Sequence, residues 1–278
     1  MTHVFVLKID WFRTIACQEL GRNRIRQAKE MIVVVGLAFE ARIAARCGLP
    51  IICSGDGRNL TASLKQGIAR GATGLISFGV AGGLAPDLAP GTCIVASAVV
   101  ADNLRLLTDY AWSQRLLDTM PGAVHGILAG APRPVRTPAE KRALSRGTGA
   151  LAVDTESHVV AQTAAAFGLP MAAIRVIADP AHRGLPDAAM VAIRPNGTTD
   201  VMAVLRSLVR RPSQMSALVR TALDARAARA TLLRGRHLLG HNLGTVVRPF
   251  PATRRDASLE LGELSPEGVT TDLRSALG

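Results

Sequence analysis

Short apolar runs alternate with stretches of helical periodicity between residues 31 and 180. Residues 32–35, 74–78 and 171–177 are apolar runs of strand length, whereas residues 60–72 place apolar side chains at helical spacing. The same patterns predict further strands at 50–53, 92–100, 123–129 and 150–153, and further helices at 40–46, from Thr137 onwards and at 156–167. Strands separated by helices predict a three-layer αβα sandwich, with helices on both faces of an open, mixed and mostly parallel sheet.

The pattern changes after residue 179. Residues 180–200 are rich in Pro, Gly and Asp and predict a loop, and residues 201–211 and 215–236 predict two basic helices. Beyond residue 240 there is no sustained period, so we expect a mobile tail over 241–278. Residues 1–30 precede Met31, at which we expect the native protein to start. The predicted organisation is an N-terminal extension, one α/β domain over residues 31–240 and a C-terminal tail.

The chain is strongly basic, with a formal net charge of +12 that comes mostly from arginine. This balance suits an anionic partner such as a nucleic acid, a phosphate-bearing substrate or an acidic membrane face. An arginine-rich composition that only aids solubility is an equal alternative. Aromatic residues make up 3% of the chain, too few for the stacking platforms that bind single-stranded nucleic acids. We therefore expect no nucleic-acid partner.

The four cysteines show neither a CxxC spacing nor histidines at metal-ligand spacing. This usage predicts a reduced, cytoplasmic protein without a structural metal. No apolar run reaches the roughly 18 residues that a membrane-spanning helix needs. The first 30 residues also lack the continuous apolar segment of a signal peptide.

Two glycine-rich segments follow predicted strands, at the strand ends where α/β sheets bind ligands. The first begins with Ser54 and Gly55, and the second reads Gly79-Val80-Ala81-Gly82-Gly83. Glycines let the main chain approach a ligand closely, and the N–H groups at a helix start favour an anion or a water molecule. Taken alone, such segments are more often simple turns.

Two acidic residues also lie at the ends of predicted strands. Glu156 stands between a strand and a helix, and Asp179 ends the last apolar run. A carboxylate that ends a hydrophobic strand is partly desolvated, which raises its pKa and suits it to donate a proton. Each residue also has a structural explanation, since Glu156 interacts favourably with a helix N-terminus and Asp179 forms a turn before Pro180.

Three segments together resemble the nucleoside phosphorylase superfamily, most closely the nucleosidases that cleave methylthioadenosine and adenosylhomocysteine. They are SGDG at 54–57, SFGVAGGLAPDLAPGTCIVAS at 77–97 and VDTESHVVAQTAAAFGLPMAAIRVIAD at 153–179. The last is the most specific, because it keeps an acid, a helix, a strand and an aspartate in that order. The resemblance covers roughly residues 31–180 and implies an enzyme that cleaves the N-glycosidic bond of purine nucleosides.

The resemblance assigns roles to individual residues. Asp179 matches the aspartate that protonates the purine at N7, and Glu156, with Thr155 beside it, matches the acid that binds the ribose hydroxyls. Glu40 lies where the nucleosidases have a water-activating glutamate. The base-binding positions correspond to Gly82, Arg133 and Val135, and the positions that hold water or phosphate correspond to Ser54, Gly55, Gly79 and Val80.

Two departures from the phosphorylases concern the acceptor of the sugar. Ser77 stands where phosphorylases similar to uridine phosphorylase carry a phosphate-binding arginine. The early phosphate-binding arginine is also absent, with Glu40 in its vicinity. These departures favour water. Phosphate is still possible as a co-substrate, because Arg42 or Arg58 could supply the positive charge that binds it. We expect no other cofactor.

The segments VGLAFEARIAARCGL at 35–49 and VRTPAEKRAL at 135–144, with the basic helices from residue 201, look most like the hopanoid-associated branch. Members of this branch remove adenine from adenosylhopane, in which a pentacyclic lipid is attached to the 5′ carbon of the sugar. The resemblance implies a lipid-linked purine nucleoside as substrate and a homo-oligomer. The basic helices could lie on the anionic inner face of the membrane, although packing on the core or a partner subunit explains them equally well.

Two other functions stay open. An ordinary methylthioadenosine or adenosylhomocysteine nucleosidase would have a small, closed pocket for the 5′ substituent, whereas a lipid substrate needs a roomy apolar one. A basic, non-catalytic protein that binds membranes or nucleic acid on the same fold is the alternative from another class. The presence of both Glu156 and Asp179, and the scarcity of aromatic residues, argue against this alternative.

Overall fold

A computed structural model describes residues 30–54, 59–186 and 215–244 of the chain. The expected basic helix over 201–211, almost all of the expected N-terminal extension and most of the expected tail lie outside the described residues. Gly55 and Arg58 lie outside them as well.

The described residues form eight strands and six α-helices. The strands are β1 (Ile32–Val35), β2 (Ile51–Cys53), β3 (Leu75–Gly83), β4 (Cys93–Ala101), β5 (Leu104–Leu107), β6 (Val124–Gly130), β7 (Ala152–Asp154) and β8 (Met171–Asp179). The helices are α1 (Ala38–Ala44), α2 (Leu60–Ala69), α3 (Tyr110–Thr119), α4 (Pro138–Thr148), α5 (Ser157–Ala166) and α6 (Met215–Leu239). The predicted α/β class, with helices around a mixed and mostly parallel sheet, is confirmed.

Two elements, β5 and α3, were not predicted from the sequence. Strand β5 is a short edge strand whose side chains are mostly exposed, so it contains no buried apolar alternation. Helix α3 begins after Asp109, whose carboxylate accepts a hydrogen bond from the backbone N–H of Trp112 at 2.7 Å. Its buried side chains include Trp112 and Leu116, which face the core.

Helix α4 begins as its sequence predicts. The Thr137 hydroxyl accepts from the Glu140 N–H at 3.2 Å, and the Glu140 carboxylate accepts from the Thr137 N–H at 2.9 Å. This reciprocal capping box satisfies two of the backbone donors that a helix start leaves unpaired. It fixes where the loop after β6 ends and α4 begins.

The sheet is closed rather than open. Its strands follow the order β2-β1-β3-β7-β6-β4-β5, and β8 pairs in parallel with β3 and antiparallel with β4. Strands β3, β7, β6, β4 and β8 therefore form a ring of paired strands. The expectation of an open sheet was wrong. An alternation of strands and helices predicts parallel strands, but it does not predict that β8 pairs with both β3 and β4.

Strand β3 runs through the glycine-rich segment that the sequence analysis treated as a turn. It ends at Gly83 instead of Phe78. Its glycines are hydrogen-bonded strand residues, since Gly82 pairs with Val153 of β7 and with Asp179 of β8. A strand with a neighbour on each edge keeps its backbone groups paired, which outweighs the low strand propensity of glycine.

Helix α6 packs its C-terminal half against the core. Ala228 and Leu232 are fully buried in a cluster that includes Trp112 and Leu116 of α3. The Trp112 indole N–H donates to the carbonyl of Leu243 at 3.1 Å, just beyond the helix end. None of the helices in the described ranges is long and apolar enough to cross a membrane.

The packing of α6 predicts a large loss of stability on truncation of Leu232. Leu232→Ala should lower the free energy of unfolding by about 2–5 kcal/mol, because it leaves a cavity among fully buried side chains. Urea unfolding measures the change. The matched control is Leu238→Ala on the same helix, whose leucine is 49% exposed and should cost little. Equal unfolding midpoints for the two variants would contradict the packing.

Candidate active site

A pocket of about 590 Å³ lies at the carboxyl ends of β1, β3, β7 and β8. Its volume falls within the range of small-molecule sites. Most of the positions expected from the sequence line it. They are Glu40, Val80, Gly82, Arg133, Val135, Thr155, Glu156 and Asp179.

Glu40 lies in the first turn of α1 and is 1% exposed. Its carboxylate accepts backbone hydrogen bonds from Gly36 at 2.9 Å, Leu37 at 2.8 Å and Val80 at 2.7 Å. Burial raises its pKa to about 7, against the lowering effect of the Arg175 charge. A carboxylate with a pKa near neutrality is suited to act as a general base.

Glu156 lies at the N-terminus of α5 and is also buried. One carboxylate oxygen accepts from the Thr155 hydroxyl at 2.5 Å and from the Ser54 hydroxyl at 3.4 Å. The other oxygen accepts from the Arg175 guanidinium at 3.3 Å. Burial raises the pKa of Glu156, and Arg175 opposes the rise. Ser54 thus contacts Glu156 but does not itself line the pocket.

Arg175 is the charged residue that sequence analysis missed at this end of the site. Its guanidinium is fully buried in β8, pairs with Asp154 and Glu156, and donates to the Ser77 hydroxyl at 2.6 Å. Ser77 itself is not an arginine, but a guanidinium from the neighbouring strand β8 contacts its hydroxyl. The available signal was a lone arginine within the apolar run of β8.

The glycine at position 79 leaves room for charged side chains rather than for a ligand. A Cβ atom there would lie 2.6 Å from Nη1 of Arg175 and against the Glu40 carboxylate. The Val80 N–H is already donated to Glu40, whereas the Val80 side chain lines the pocket. Both residues were expected to hold water or phosphate directly, and in the structure they support Glu40.

Asp179 is the last residue of β8 and pairs with Gly82 of β3. Its carboxylate oxygens lie 3.3 and 3.4 Å from the position that a Cβ atom of Gly82 would take. Burial raises the pKa of Asp179, and the ammonium group of Lys141 opposes the rise. Lys141 is fully buried in α4 and forms an ion pair with this carboxylate, a partner that sequence analysis missed.

The loop after β6 forms the rim of the pocket through Arg133 and Val135. His158 of α5 also lines it. Of the two arginines considered as phosphate ligands, Arg42 is exposed and does not line the pocket. No group of three or more His, Cys, Asp or Glu residues in the described part of the chain could hold a metal ion.

Three structures illustrate the similarity of the fold. A Helicobacter pylori 5′-methylthioadenosine nucleosidase mutant, holding 5′-methylthioadenosine in its active site, gives a TM-score of 0.52 at 16% identity over 66% of this chain and 99% of that one. A Francisella philomiragia protein, a putative 5′-methylthioadenosine/S-adenosylhomocysteine nucleosidase, gives 0.51 at 18% identity over 66% and 100%. Helicobacter pylori futalosine hydrolase gives 0.51 at 18% identity over 65% and 97%.

These identities are low, so the likeness concerns the fold. Among curated protein sequences, none is similar enough to the chain to count as a match. The profile described as Phosphorylase superfamily matches residues 42–217, well over half of the chain, and its span contains Ser77, Glu156, Arg175 and Asp179. The chain therefore belongs to the Phosphorylase superfamily.

Proposed function

We propose that the chain cleaves the N-glycosidic bond of a purine nucleoside and releases the base. Superfamily membership supports an enzyme of this class. The observation that carries the proposal is the convergence of Glu40, Glu156 and Asp179 on one pocket, each with a raised pKa. Raised pKa values in one cleft are typical of acid–base sites.

The three carboxylates divide the reaction between them. Asp179 donates a proton to N7 of the purine, so that the base leaves as a neutral molecule. Glu156 binds the ribose hydroxyls and stabilises the positive charge that develops on the sugar. Glu40 takes a proton from the water that attacks the anomeric carbon. Arg175 acts on Glu156 and Glu40 as a positioning residue, since it is buried behind them.

We propose water rather than phosphate as the acceptor. The Arg175 guanidinium is paired with Asp154 and Glu156 and faces Glu40, so this cluster holds three carboxylates against one cation. An excess of carboxylates repels a phosphate dianion and has no such effect on water. The backbone N–H of Val80, an obvious anion donor, is also already bound by Glu40.

For the substrate we propose adenosylhopane, or another adenosine with a bulky apolar group at the 5′ carbon. The support is a largely apolar part of the pocket lining, to which Leu37, Phe39 and Leu185 contribute together with Thr221 and Ala225. The last two belong to α6, which Arg183 ties to the segment after β8 through a 2.8 Å ion pair with Asp224. The alternative is a soluble adenosine such as methylthioadenosine, which one structure of similar fold holds in its active site.

We also propose that α6 contacts an anionic membrane beside the pocket, in a chain that works as a homo-oligomer. Met215, Val219 and Leu223 recur every four residues and are about half exposed, so they form an apolar stripe on one face. Exposed Arg220 and Arg226 lie on the same part of the helix. Apolar side chains flanked by arginines are typical of helices that lie at a lipid interface.

The primary experiment measures adenine release from adenosylhopane in detergent and from methylthioadenosine, with and without phosphate. We expect release from the lipid substrate without phosphate, and a loss of about 10²–10⁴-fold in Asp179→Asn. The control is Asp118→Asn, an exposed aspartate on α3. Release only from methylthioadenosine would overturn the lipid substrate. No release from either would favour the non-catalytic alternative. Release that requires phosphate would show that phosphate, and not water, is the acceptor.

The pH dependence of the reaction tests Glu40. A general base acts in its ionised form, so kcat/KM should fall as the pH is lowered through about 7, the pKa of Glu40. Glu40→Gln should be slow and should lack this limb of the profile. A variant that keeps both the limb and the rate would exclude Glu40 as the base.

Flotation with phosphatidylglycerol vesicles tests the membrane contact. The wild-type chain should float with the vesicles, and the double variant Val219→Asp, Leu223→Asp should not, because two carboxylates replace the apolar stripe. Leu107→Asp on the edge strand β5 is the matched control, since Leu107 is 76% exposed and lies outside α6. Equal flotation of all three proteins, or of none, would contradict the proposal.

A further inference from the structure

Lys141 is a fully buried lysine near the N-terminus of α4. Lysines are almost never fully buried unless they are paired. The chain has only four lysines among its 33 basic residues, so an apolar residue or an exposed arginine would be the ordinary occupant of such a position. Its environment therefore calls for a specific explanation.

Four oxygen atoms, from Asp179, Pro180 and Arg183, lie within hydrogen-bonding distance of the ammonium group. Nζ pairs with Oδ2 of Asp179 and donates to the carbonyls of Pro180 at 3.0 Å and Arg183 at 3.1 Å. The Asp179 carbonyl lies 3.5 Å away. An ammonium group has three donors and no acceptor, so this cage matches its charged form. A neutral amine would turn its lone pair towards an oxygen.

Stability alone does not account for this pair. Removing two charges from water costs about as much as their attraction returns, and apolar residues of similar size often serve as well. Lys141 nevertheless spans from α4 to the end of β8 and takes one oxygen of Asp179. The Asp179 side chain is 16% exposed and lines the pocket, so it can be reached by a ligand there.

We propose that Lys141 positions Asp179 and stabilises the carboxylate that forms when the aspartate gives its proton to the leaving base. This inference rests on the proposed cleavage of a purine nucleoside. In that step the Asp179 proton moves to N7, and the electrons of the breaking C–N bond pass to the purine. Before the step Asp179 carries this proton while Lys141 holds its Oδ2 atom, and after the step it is a carboxylate opposite the Lys141 ammonium, which keeps all three of its protons.

The first experiment follows the Asp179 carboxyl directly, by ¹³C NMR of aspartate-labelled protein, with the signal assigned by its absence in Asp179→Asn. Lys141→Met should raise the pKa of Asp179, because the carboxylate loses its main counter-charge while the weaker effects of Arg183 and Asp224 stay in place. Lys141→Gln keeps N–H donors for the carbonyls without the charge and should have the same effect. The control is Lys65→Met on α2, an exposed lysine. An unchanged Asp179 titration in both position-141 variants would overturn the proposal.

The second experiment compares two leaving groups. Adenine must be protonated as it leaves, whereas the nitrophenolate of p-nitrophenyl riboside leaves as a stable anion. Both Lys141 variants should lose about 100-fold or more in kcat with the adenine nucleoside and stay near the wild-type rate with the nitrophenyl riboside. Lys141→Met combined with Asp179→Asn should be no slower than Asp179→Asn alone.

Equal losses on both substrates in a folded variant would instead make Lys141 a structural residue and overturn the proposal. Thermal unfolding shows whether the variant is folded, and Lys141→Gln replaces Lys141→Met if the latter is not. A wild-type chain that cleaves neither substrate contradicts the proposed function, and the NMR titration then decides on Lys141 without turnover.

Discussion

Burial of the Arg175 guanidinium among carboxylates is the interaction on which the rest of the site depends. Asp154 and Glu156 pair with it directly, and its charge also acts on Glu40. Removing one partner of such a buried network typically costs about 3–5 kcal/mol, because the remaining charges are left uncompensated. Without Arg175, folding would therefore strongly favour the protonated forms of these acids, and the pocket would lose the ionised groups to which we assign ribose binding and water activation.

The closed sheet brings this arginine to its place. Because β8 pairs with β3 in register Gly79 to Arg175, the guanidinium emerges beside a residue that has no side chain. The Glu40 carboxylate enters the same space from α1, and a Cβ atom on Gly79 would collide with both groups. Gly36 has the corresponding role for Glu156, whose oxygen would lie 2.7 Å from a Cβ atom there. These glycines are required by neighbouring charges and not by turns.

The sequence predicted those features of the site that are local. Asp179 ends β8 and Glu156 lies between β7 and α5, so their position at one edge of the sheet could be inferred from the order of elements. Arg175 and Lys141 could not be assigned in this way, since their partners lie up to 98 residues away along the chain. Closure of the sheet through β8 depends on the same kind of long-range pairing, and periodicity carries no information about it.

The two buried cations divide the pocket into two electrostatic halves. Arg175 opposes the burial-driven rise in the pKa of Glu40 and Glu156, and Lys141 opposes it for Asp179. For Glu40 the rise still reaches about 7, so folding favours its neutral form and stability is lost as the pH increases towards that value. This loss of stability comes from Glu40, the residue to which we assign the role of base. On the other side the main charge partner of Asp179 is Lys141, with smaller effects from Asp224 and Arg183, and the ammonium can stabilise the carboxylate that forms in the proposed proton transfer. In the proposed mechanism, the separation of the two cations allows one carboxyl group to act as the base and another to act as the acid in the same pocket.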